Sequence, residues 1–99
     1  MTIIFTDKAK EDIRSIYYFN SQINILFAKS IQRKIFKEIN VLKKFPEVGK
    51  KEAFLRNMYL QLRALVIAEG KYKVIYAPAK DHITIHVIFD CRRNPKTIE

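Results

Sequence analysis

The hydrophobic pattern of this chain changes period once, near residue 58, and that change limits the folds open to it. Before it, apolar residues recur every three or four positions, the spacing of one helix face. After it they alternate, the spacing of a half-buried strand. Thr2 to Phe5 form a short β-prone run, and Thr6 and Asp7 supply an N-cap and an anionic first turn. Ala9, Ile13, Ile16 and Tyr17 then repeat at helical spacing until Asn20 and Ser21 interrupt them. A stronger stripe follows in Phe27, Ile31, Ile35, Ile39 and Leu42, closed by Phe45, Pro46 and Gly49. The spacing predicts helices over about residues 7 to 19 and 23 to 44, joined as an antiparallel hairpin by a short connection.

Three strands are expected beyond the change. In residues 60 to 67, Leu60, Leu62, Ala64 and Val66 share one face and Gln61, Arg63, Leu65 and Ile67 the other. Glu69 and Gly70 form a turn, after which Tyr72, Val74 and Tyr76 alternate with Lys73 and Ile75. Pro78 to Asp81 turn the chain again. Ile83, Ile85, Val87 and Phe89 then face away from His82, Thr84, His86 and Ile88. The expected fold is α+β, in the order β-α-α-β-β-β. One domain over residues 1 to 99 would carry an antiparallel sheet with the two-helix hairpin on one face. Tyr72 and Tyr76 are expected on the helix side.

Charge carries the functional argument. The chain has 19 Lys and Arg against 10 Asp and Glu, a net +9. Residues 1 to 20 are balanced, so the excess starts at the second helix and continues to the end. A small chain this basic favours polyanions or an acidic protein partner. A single cysteine, Cys91, supplies neither a disulfide nor a metal cluster. No apolar run is long enough to span a bilayer, and the first residues lack the pattern of a signal peptide. A cytoplasmic protein without cofactor, metal or membrane is expected.

Candidate site residues follow from the strand order. Arg63 and Lys73 are expected on the open sheet face, with Arg92 and Arg93 just past the last strand, so that four cations would converge on an anion. Arg92 and Lys96 are candidate nucleic-acid contacts. His82 and His86, some two pleats and about 13 Å apart, are too distant for one metal ion. His86 alone is a candidate general base. Cys91 reads as an apolar filler, with two neighbouring arginines as a reason for a lowered pKa.

"FTDKAKEDIRSIYYF", "LKKFPEVG", "LRALVI", "YKVIY" and "HVIFDCRRNP", in this order and spacing, resemble the RelE/ParE superfamily, toxins of type II toxin–antitoxin systems. The resemblance covers nearly the whole chain. It implies a cognate acidic antitoxin as partner and one of two actions: ribosome-dependent mRNA cleavage or poisoning of DNA gyrase. In the nuclease branch the substrate's 2′-hydroxyl attacks the adjacent phosphate without a metal. By position, Lys73 falls where nuclease members usually place a catalytic arginine, Arg93 falls on a phosphate-binding arginine, and Arg63 lies near a basic cluster. Lys73 keeps that charge without bidentate geometry. Tyr59 and Gln61 stand where one subgroup has lysines, and neither Tyr nor His follows Arg93. The density of positive charge favours mRNA on the ribosome as target, with gyrase, or a non-toxic nucleic-acid-binding module, as the alternatives.

Overall fold

The computed structural model of the chain describes residues 1–51 and 61–92. Tyr59, Arg93 and Lys96 lie outside the described residues. The elements are β1 (Thr2–Phe5), α1 (Asp7–Ser21), α2 (Ile25–Asn40) with a 3-10 turn at Val41–Lys43, β2 (Lys50–Lys51), β3 (Arg63–Ile67), β4 (Tyr72–Pro78) and β5 (His82–Asp90). The helices start where the sequence supplies caps. Thr6 Oγ1 accepts from the Ala9 amide at 3.1 Å, and Asn24 Oδ1 from that of Phe27 at 3.0 Å.

The five strands lie in the order β1-β5-β4-β3-β2, with the helical hairpin packed on one face. β3, β4 and β5 pair antiparallel as expected, and two features extend that expectation. β1 pairs parallel with β5, making the sheet mixed, and β2 adds a two-residue edge beside β3. β1 takes its place because α1, directly after it, packs on β5. Ile31, Ile35 and Ile39 are buried against Ile67, Tyr72, Val74, Tyr76, Ile83 and Ile85. Each such side chain contributes about 1.5–3 kcal/mol on leaving water.

Three expectations about facing change. On α2 the buried seam runs through Ala28, Ile31, Ile35 and Ile39, so Phe27 turns outward at 39% exposure. On α1 the seam is Ala9, Asp12, Ile16 and Asn20, two of them polar. Asn20 stays inside the helix and does not end it, because its side-chain amide donates to Ile16 O at 2.8 Å and to Tyr72 Oη at 3.2 Å.

The third change is in β5. The pairing runs Ile75 to Val87 and then Tyr76 to Ile85, so His86 is an extra residue, a β-bulge. Past it the alternation reverses. Ile88 is buried among the core residues at 1% exposure, while Val87 and Phe89 are on the far face. The bulge frees backbone groups, and α1 with its N-cap satisfies them: Thr6 Oγ1 donates to His86 O at 3.1 Å, and Asp12 Oδ2 accepts from the Ile88 amide at 2.9 Å.

Candidate functional site

The far face of the sheet, away from the helices, is where the cations were expected to gather. Lys73 is there, in a row with its ladder partners Val66 on β3 and Phe89 on β5. Arg63 is not. It stands opposite Tyr76, and Tyr76 is buried on the helix side with no exposed surface. The alternation grouped Arg63 correctly with Leu65 and Ile67, but the face they share is the core face. Arg63 Nη1 donates to Glu47 O at 3.1 Å and to Gly49 O at 2.7 Å. Tyr76 Oη accepts from the Gly49 amide at 2.8 Å, and burial pushes its pKa up. Arg63 therefore ties the loop after α2 to the sheet.

Arg92 is also engaged. Its guanidinium grips the buried Asp90 through Nε and Nη2 at 3.0 and 3.1 Å, and Nη2 donates to Tyr72 Oη at 3.2 Å. Its carbon lies 5.5 Å from the centre of the Tyr72 ring. Asn20, Tyr72, Arg92 and Asp90 thus form one network joining the end of α1 to the end of β5. Sequence reading did not assign that role to Arg92, since Asp90 is on the core face only because of the bulge.

The His86 Nε2 is buried and has no hydrogen-bond partner among the described residues. Burial pulls the His86 pKa below that of a free imidazole. That favours the neutral, proton-accepting ring. The Cys91 thiol does not take the lowered pKa that two neighbouring arginines gave reason for. Its desolvation outweighs the pull of Lys73 and Arg92, so its pKa rises and its reactivity falls. Among the described residues no cluster of His, Cys, Asp and Glu could hold a metal ion, and no helix is long and apolar enough to cross a membrane.

The surface that sequence reasoning missed is the tip of the helical hairpin. Tyr18, Phe19, Ile23, Ile25, Leu26 and Phe27 are all exposed, Ile23 and Leu26 at 72% and 75%. A groove on α1, lined by Glu11, Arg14, Ser15, Tyr18, Phe19 and Gln22, adjoins it. One signal was available: residues 15 to 28 contain no charged side chain in a chain of net charge +9. Exposed apolar patches of this kind are the surfaces through which proteins meet other proteins, membranes or ligands.

Comparison with known proteins agrees with the motifs. A family model described as the ParE toxin of the type II toxin-antitoxin system, parDE, matches residues 3–95. A comparison with curated protein sequences finds no match. Among solved structures, the chromosomal ParDE TA system from P. aeruginosa aligns with a TM-score of 0.74 at 18% identity, over 91% of this chain and 95% of that one. That alignment bears on the fold, which it shares. With the family model spanning almost its full length, the chain belongs to the ParE toxin family of type II toxin–antitoxin systems, within the RelE/ParE superfamily.

Proposed function

We propose that this chain is the growth-arresting half of a toxin–antitoxin pair, neutralised by an acidic antitoxin, and that it acts in the cytoplasm by binding a protein target. The resemblance names DNA gyrase as that target. The observation that carries the reading is the separation of Arg63 from Lys73 on opposite faces of the sheet. Metal-free cleavage needs several cations on one phosphorane, with an acid and a base in reach. Here Arg63 holds a loop and Arg92 holds Asp90. The uncharged hairpin tip offers what a protein target needs and a phosphate does not.

The reading by which the chain cleaves mRNA on the ribosome retains the +9 charge in its favour, and Lys73, Arg93 and His86 as its residues. Induction without antitoxin separates the two. Under the binding reading growth stops, supercoiling by purified gyrase fails in the presence of the toxin, and messages stay whole. Cuts confined to translated frames, seen by primer extension, would overturn it. Normal growth with soluble toxin in the native host would remove both readings and leave the non-toxic module.

A further inference from the structure

The two helices of the hairpin carry charge differently. α1 has three basic and three acidic side chains, whereas α2 has Lys29, Arg33, Lys34 and Lys37 against Glu38 alone. Two of these five are engaged elsewhere: Glu38 Oε2 accepts from the Ala68 amide at 3.0 Å, and Lys34 pairs with Glu69. The buried seam of α2, Ala28, Ile31, Ile35 and Ile39, turns positions 29, 33 and 37 to the opposite, outer side. Lys29, Arg33 and Lys37 are exposed there, one to a turn and about 6 Å apart along the axis. Exposed Lys44, just past the 3-10 turn, continues the row, and Ser30 and Asn40 share its face. Among the described residues, none of these four cations forms an ion pair. Phe36, at the flank of the row, lies against Phe5 edge to face, with ring centres 5.8 Å apart.

We propose that the outer face of α2 binds the phosphate backbone of duplex DNA without reading its sequence. The site goes beyond the protein-binding reading above and lies on a different part of the molecule. The uncharged tip ends at Ala28, and the row begins at Lys29. Three features select the partner. Protein interfaces gather apolar and aromatic side chains and are depleted in lysine, whereas DNA interfaces are polar and strongly positive. Single strands are held by bases stacking on aromatic rings, and Phe36 already packs against Phe5. A helix about 10–12 Å across presents a convex face to the B-form major groove, about 12 Å wide. The deep, narrow major groove of A-form RNA gives that face no entry. Lys29, Arg33, Lys37 and Lys44 then meet successive phosphates, contacts that position a duplex and carry no sequence information.

Fluorescence anisotropy of a labelled DNA duplex of mixed sequence, titrated with the purified full chain over a range of salt, tests the site. Gyrase is absent from the assay, so each outcome stands whatever the target of the toxin. The logarithm of the binding constant should fall with that of salt at a slope of about −3 to −4, near −0.9 for each phosphate neutralised. Arg33→Gln and Lys37→Gln should each make that slope shallower by about 1. Both side chains are exposed, so the thermal melt should stay in place. Lys80→Gln, which removes the same charge from the β4–β5 turn, should leave the slope unchanged. An equal loss of slope in Lys80→Gln would assign binding to net charge and overturn the α2 site. An RNA duplex bound as tightly as DNA would overturn the fit to the B-form groove. Displacement of the DNA by polyglutamate at equal charge would make the row a surface for an acidic protein, and would overturn the proposal as well.

Discussion

Gly49 sits where a methyl group has no room. A Cβ there would lie 2.7 Å from the Tyr76 ring and hydroxyl and 2.8 Å from Ala64 O. Tyr76 is fully buried and Ala64 is held in the ladder, so neither yields cheaply. Gly49→Ala should cost about 1–3 kcal/mol in urea unfolding, and the Gly49–Tyr76 hydrogen bond should be lost with it. His86 makes a separate prediction about pH. Its folded pKa lies below that of the unfolded chain, so the unfolded state binds more protons as pH falls through the imidazole range. The stability this residue contributes is complete above about pH 6.5 and is lost as pH falls from there toward the folded pKa. Melting temperature should drop on moving from neutral to mildly acid buffer, and His86→Gln should make that drop smaller. An equal drop in the variant would assign the effect to other groups.

Among the elements, the α1–β5 contact depends most on polar groups that a hydrophobic pattern does not register. Asp12 is nearly buried, accepts from the Ile88 amide and pairs with Lys8. Asp12→Ala leaves that amide unsatisfied and should cost about 1–3 kcal/mol in urea unfolding. Asp12→Asn, which keeps an acceptor, should cost less, and exchange at the Ile88 amide should rise in the same order. A similar support holds the β3–β4 turn. Ala68, Glu69 and Gly70 all have positive φ, at 53°, 58° and 89°, and Glu38 Oε2 accepts from the Ala68 amide at 3.0 Å. Helix stripes, caps, turns and the succession of elements along the chain were legible because they rest on local spacing, whereas the parallel seat of β1 beside β5 does not. Ile31, Ile35 and Ile39 gave α2 its buried face without help from the rest of the chain. The face of Arg63 was not legible, because Leu65 and Val66 are both apolar and alternation alone does not say which side meets the helices. The orientation of Val87, Ile88 and Phe89 was not legible either, since a run of three apolar residues carries no mark of the extra one before it.

For the whole molecule, the division between a basic chain and an uncharged apolar hairpin tip gives the proposed mode of action its sharpest test. Leu26, three-quarters exposed, carries little of the core. Leu26→Lys should leave stability within about 0.5 kcal/mol and still weaken growth arrest and gyrase inhibition. Unchanged toxicity would move the target-binding surface elsewhere. The bulge bears on descent within the family. A relative that lost the residue equivalent to His86 would restore an even ladder, turn the following residues over, and take from positions 6 and 12 their partners on β5. Thr6, Asp12 and the inserted residue should therefore be inherited as a set. Where an alignment of relatives opens a one-residue gap at position 86, substitutions at positions 6 and 12 should accompany it, some eighty residues away in sequence.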